Sequence, residues 1–135
     1  MGGHRWQWGP NPVLRRVAQA EISTVNARSE TIATSPVFKA HGRSLIPAAS
    51  FDEPNRETGR NVWWRFRRAD GAPWALAGLW NAWKDPATGE YVESYSMLTV
   101  NADGHPLMGR MHRPDPKRPP EKQDKRSVVV VEPAN

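Results

Sequence analysis

Apolar residues in this chain come in short β-prone bursts separated by glycine and proline, and almost nowhere at helical spacing. Val62-Trp63-Trp64-Arg65-Phe66-Arg67 is aromatic and half alternating. Asp70-Gly71 follows, and then a second run, Trp74-Ala75-Leu76-Ala77-Gly78-Leu79-Trp80, so a hairpin through the Asp-Gly turn is predicted. Beyond the Asp85-Pro86-Ala87-Thr88-Gly89 loop, Tyr91 to Val100 reads as another strand. Val128–Val131 reads as a buried or central strand, and Leu45-Ile46 as a short one stopped by Pro47. Helical signals are sparse. Residues 13–22 have poor apolar spacing, but Ser35-Pro36 before Val37-Phe38-Lys39-Ala40 and Gly42 supplies an N-cap, a first-turn proline and a stop. A short helix is also expected within Gly104–Met111. Residues 1–12, with three glycines and two prolines around Trp6 and Trp8, read as a loop, and residues 113–126 as an exposed, charged, proline-rich one. There are no internal repeats.

A length of 135 residues suits one domain with one core. The 13 prolines and 10 glycines agree with a strand- and loop-rich fold. Of the seven tryptophans, Trp74, Trp80, Trp83 and at least one of Trp63 and Trp64 are expected in the core. Trp6 and Trp8, in their loop, are the better candidates for stacking on unpaired bases. A formal net charge of +5 favours an anionic partner, nucleic acid being the usual one, and fits ordinary solubility charge equally well. Arg65, Arg67 and Arg68, and Lys117-Arg118, read as solvated faces with diffuse attraction for phosphate. No apolar run reaches membrane-span length and no signal-peptide core opens the chain, so a cytoplasmic location is the default expectation. With no cysteine, disulfides and thiol nucleophiles are excluded. His4, His41 and His105 lack carboxylate or cysteine partners at metal spacing, so neither metal nor cofactor is assigned.

Chemistry enters with ordered motifs: Asn26-Ala27-Arg28-x-Glu30-Thr31, Arg43-Ser44-Leu45-Ile46-Pro47-Ala48-x-x-Phe51-x-Glu53, Ala77-Gly78-Leu79-Trp80, Ser94 through His112, and Lys125-Arg126-Ser127-Val128-Val129-Val130-Val131. Each alone is weak, and together in this order they are specific. The chain resembles the SOS-response-associated peptidase family of abasic-site processing proteins, from Trp6 onward.

That resemblance implies a fold that the hairpin signals also suggest: α+β, a mainly antiparallel barrel-like sheet with short peripheral helices. It implies recognition of abasic sites in single-stranded DNA, covalent capture by an N-terminal cysteine through a thiazolidine, and autopeptidase activity. By motif position, Asn26 resembles the amide that orients the reacting N-terminus, and Glu53 the carboxylate that shuttles its protons. His112 resembles the histidine that holds the sugar-derived oxygen and helps open the deoxyribose ring, work that suits an imidazole. Arg28 resembles the arginine that grips the neighbouring phosphate, and Arg126 occupies an arginine's place after the long loop.

The departures are specific. Ser44 replaces the cysteine of the Arg-Cys-Leu-Ile-Pro stretch, and Gly-Phe-Tyr-Glu-Trp becomes Ser50-Phe51-Asp52-Glu53-Pro54, losing its tryptophan. The front segment beginning Met-Cys-Gly-Arg is missing, so the expectation is a single domain without the usual N-terminal segment and unable to form the thiazolidine. The alternatives are a non-catalytic module that binds single-stranded DNA and an inactive fragment. Outside the resemblance, Glu53 reads as a solvated carboxylate beside Asp52 and Glu57, and His112 as a loop histidine paired with Asp115.

Overall fold

A computed structural model describes residues 5–8 and 25–133. In chain order the strands are β1 (Arg5–Trp8), β2 (Asn26–Arg28), β3 (Gly42–Ala48), β4 (Phe51–Asn55), β5 (Val62–Phe66), β6 (Trp74–Lys84), β7 (Tyr91–Asn101) and β8 (Arg126–Val128). Short 3-10 turns occupy Met108–Arg110 and Pro120–Lys122. The pairing order is β1-β7-β6-β3, with β2 and β8 also on β7, while β4 and β5 form their own two-stranded sheet. Because β1 runs parallel to β7 and β6 and β8 antiparallel to it, the larger sheet is mixed.

The fold is therefore mostly β. Among the described residues the helices are two short 3-10 turns and no closed barrel is found, so the α+β, barrel-like expectation holds only in part. The Ser35-Pro36 cap starts only a turn: Phe38 and Lys39 donate backbone hydrogen bonds to Ser35 O, and β3 begins at Gly42. Residues 13–22 lie outside the described residues. The front loop is corrected too, since Arg5–Trp8 is a strand.

The chain divides into two compact units, one of Met1–Ile46 and Ala77–Leu98, the other of Pro47–Leu76 and Thr99–Asn135. In the first, β6 and β7 pair from Gly78↔Met97 to Lys84↔Tyr91. The Asp85–Gly89 connection closes them, with Gly89 at φ 74 and Asp85 N bonded to Glu90 O. Period-two alternation buries Ser94 and Ser96 on one face of β7. β3 does not stop at Pro47; it runs on to Ala48, and a proline is tolerated there because β3 ends the pairing order as an edge strand. Trp80, expected in the core, is 44% exposed.

In the second unit β4 pairs with β5 antiparallel, from Phe51↔Phe66 to Asn55↔Val62. The predicted hairpin between β5 and β6 does not form. Its Asp-Gly turn exists, with Gly71 at φ 74 and Gly71 N bonded to Arg68 O, but the two strands leave that turn in different sheets. Alternation puts Phe51, Glu53 and Asn55 on one face of β4, opposite Phe66, Trp64 and Val62. Phe51 and Phe66 stack with centroids 5.1 Å apart, and together with Trp64 they pack on buried Ala102, Met108 and Met111. Trp63, on the other face, is exposed. β8 pairs with the end of β7 through Thr99↔Val128, and of the valines after it Val129 and Val130 are half-buried and Val131 is exposed, so the run is not central. The 113–126 loop is exposed over residues 113–122 but half-buried from Gln123 on, Arg126 already belonging to β8, and Gln123 organises it by accepting from Asp115 N and donating to Arg118 O and Pro119 O.

Candidate active site

Glu53 is a carboxylate on the core-facing side of a strand, which the two-residue period dictates once Phe51 faces inward. Its residue exposure is 9%, so it needs a partner. The partner is His112, whose Nε2 lies 2.8 Å from Glu53 Oε2. The imidazole is the more open of the two, with 35% of its side chain exposed against 12% for the carboxylate. Asp115 is not its partner; that carboxylate faces Arg118.

Several contacts hold the imidazole there. His112 N donates to Pro54 O at 2.6 Å, and Asn55 bridges Met111, so residues 111–112 are stitched to the edge of β4. His112 has φ 62 and is the one non-glycine at positive φ among the described residues. That conformation costs roughly 1–2 kcal/mol and persists only where its surroundings enforce it. Asn55, buried at 2% exposure, supplies part of the enforcement. Its Nδ2 donates to Arg110 O at 3.3 Å and to Glu57 Oε2 at 3.0 Å, and its Oδ1 accepts from Glu57 N at 3.1 Å. Arg110 clasps Glu57 through two bonds of 2.9 Å and lies over the Trp64 ring at 5.1 Å. The Arg110 guanidinium and the Asn55 amide hold the Glu57 carboxyl down at about 2. Lys125 Nζ adds a bond to Gly109 O at 2.7 Å.

The arrangement is a sheltered carboxylate orienting an imidazole that reaches solvent. Glu53 occupies Nε2, which leaves the second ring nitrogen for proton transfer, so the pair can take a proton from one oxygen and return one to another. The cavity of about 430 Å³ in this unit, among Phe51, Phe66, Trp74, Met108 and Val130, is lined by neither Glu53 nor His112.

The other expected site residues fall elsewhere. Asn26 and Arg28 are exposed on one face of β2 in the first unit, on either side of Ala27, which is buried at 1% exposure. Trp6 and Trp8 lie on β1, and their side chains are outside the described residues. Arg126 is half-buried on β8, with Nη2 on Thr99 O at 2.7 Å and Nη1 on Asp124 Oδ1 at 2.9 Å. Asn55, Glu57 and Arg110 were not singled out from sequence. Asn55-x-Glu57 carries a local Asx-turn signal, but Arg110 is distant in the chain and left none.

Residues 3–126 match the SOS response associated peptidase (SRAP) family model. The chain is 27% identical over 110 residues to the abasic site processing protein YoaM of Bacillus subtilis, covering 78% of this chain and 47% of that protein. A crystal structure from Bordetella bronchiseptica superposes with a TM-score of 0.75 at 37% identity, covering 93% of this chain and 60% of that one. Another from Bacteroides thetaiotaomicron gives 0.64 at 23% identity over 81% of this chain and 44% of that one, a likeness of fold alone. The chain thus spans roughly half the length of the relatives it matches.

Proposed function

The chain belongs to the SOS response associated peptidase family, and from that premise we propose that it acts in the DNA damage response by binding abasic sites in single-stranded DNA and opening the abasic sugar. The observation that carries this reading is the Glu53–His112 pair at 2.8 Å, held in an enforced backbone conformation and open to solvent on the imidazole side.

An abasic deoxyribose rests mainly as a closed hemiacetal. Opening it requires that the C1′ hydroxyl lose a proton, that the C1′–O4′ bond break as the carbonyl forms, and that O4′ gain a proton. The proton count is unchanged, so one imidazole can accept the first proton and deliver it to O4′ while Glu53 stabilises the transient imidazolium. By motif position Asn26 and Arg28, which flank Ala27 on β2, are assigned to the reacting amine and to a backbone phosphate, with Trp6, Trp8 and Arg126 as further strand contacts. Such work places the protein with the nucleoid in the cytoplasm, acting as a single copy.

Covalent capture by a thiol is a separate matter, because none of these 135 residues is cysteine. These 135 residues can accordingly be read a second way, as recognising the lesion without themselves supplying a thiol for a thiazolidine or for peptide cleavage. The shared claim is tested with fluorescently labelled single strands that are intact or carry one natural abasic site. Tighter binding of the abasic strand, lost in Glu53→Gln and His112→Ala, is expected. Equal affinity for both strands, or a preference for duplex, would refute it.

A further inference from the structure

The β4–β5 hairpin has a second face that neither the core nor the Glu53–His112 pair uses. Alternation places Trp63 and Arg65 on it, with Trp63 directly across from Pro54 and Arg65 across from Asp52, and Arg67 follows just past the end of β5. Trp63 is 63% exposed, the most open of the large apolar side chains on the described surface.

Charge on the hairpin is unevenly matched. Asp52 is held by Arg65 through bonds of 2.8 and 2.9 Å, Glu57 by Arg110, Asp70 by Arg68 and Glu53 by His112. Each carboxylate of the hairpin and its flanking turn is thereby occupied. Arg56 and Arg60 in the connecting loop and Arg67 at the end of β5 are exposed and have no ion pair among the described residues. An open indole beside surplus guanidinium groups matches a ligand with flat π-faces and regularly spaced negative charge.

We propose that this outer face is a docking surface for single-stranded nucleic acid, with Trp63 stacking on a base and Arg56, Arg60 and Arg67 holding the flanking phosphates. The proposal rests on the functional reading above and adds to it a contact site away from the lesion-processing pair. An unpaired strand is favoured over duplex because only unpaired bases offer their faces to an indole. A protein partner fits less well, because it would have to supply matching carboxylates for Arg56, Arg60 and Arg67, whereas a nucleic-acid strand carries a phosphate at every nucleotide. Here the neighbours of Trp63 on its face are Pro54 and charged side chains.

The test is anisotropy titration of the full chain with a labelled, intact oligothymidylate across a salt series. Trp63→Ala is expected to weaken binding about tenfold, as loss of a stacking platform does, and Trp63→Phe to restore most of it. Arg67→Gln should lessen the salt dependence by about 0.7 in log–log slope. Trp80→Ala removes another exposed indole, on β6, and should leave affinity unchanged. Melting curves confirm that each variant is folded. A Trp63→Ala affinity within twofold of the parent would overturn the proposal, as would absent binding of the intact strand by the parent. A size-exclusion shift from dimer to monomer in Trp63→Ala would overturn it too, by showing the face buried in a second copy. Preference for abasic over intact strands is a ratio that Trp63 does not enter. Loss of that ratio with Trp63 sensitivity kept counts against the sugar-opening reading alone.

Discussion

His112 and Glu53 make a pair only because Asn55 and its neighbours hold the backbone of residues 110–112 against β4. Asn55→Ala removes a buried amide with three hydrogen bonds and should destabilise the fold by about 1–3 kcal/mol. It should also disturb the side-chain nitrogen resonances of His112 in a histidine-detected spectrum; unchanged resonances would show that Asn55 has no positioning role. Glu57 makes a separate prediction about acid. Its carboxyl lies at about 2 against an ordinary 4.5, so the stabilisation from its Arg110 clasp is complete above about pH 4.5 and fades as the pH falls toward 2. The stability gap between the parent and Glu57→Gln, measured by denaturant titration, should therefore narrow in that window. A gap that widens as pH falls would contradict this assignment. Glu53 was legible only through its motif, because Asp52, Pro54 and Asn55 around it are strand-poor and read locally as loop. Its burial comes from pairing with β5, a contact no local pattern encodes.

At the level of elements, the strands were legible and their partners were not. β5, β6 and β7 announce themselves by aromatic and β-branched content, and the Asp85–Gly89 turn by its glycine at φ 74. The Asp70-Gly71 turn is equally clear, yet it joins strands that do not pair, because β5 takes its partner from the poorly marked β4. Turn chemistry is local, whereas sheet membership is decided by which faces bury together. The β3–β6 contact illustrates that requirement. A Cβ on Gly78 would come within 2.6 Å of Ile46 Cδ1 and 2.9 Å of Ser44 Oγ, a hydroxyl already buried without a partner among the described residues. Gly78→Ala should cost about 1–3 kcal/mol by overpacking. Gly104→Ala, where a methyl meets nothing within 4 Å, should be neutral or slightly stabilising. Thermal melts of the two variants discriminate, and equal midpoints would mean that β3 and β6 are not closely packed.

For the molecule as a whole, the net charge of +5 and the ordered motifs favour the proposed DNA partner by different routes, and only the motifs bear on which lesion is proposed. Charge alone predicts binding that weakens steeply with salt, for any single strand. Affinity for intact oligothymidylate should fall with a log–log slope of several units, and a flat salt response would remove phosphate contacts from the account. Chemistry at the abasic sugar is the stronger claim. It is read most directly with an abasic single strand labelled with carbon-13 at C1′ and an alkoxyamine in such excess that ring opening limits trapping of the aldehyde. The parent protein is expected to accelerate oxime formation about a hundredfold or more, the range of positioned acid–base groups. His112→Ala and Glu53→Gln should each lose most of that gain while still binding the strand. Oxime formation at the protein-free rate, or undiminished acceleration in both variants, would contradict the claim.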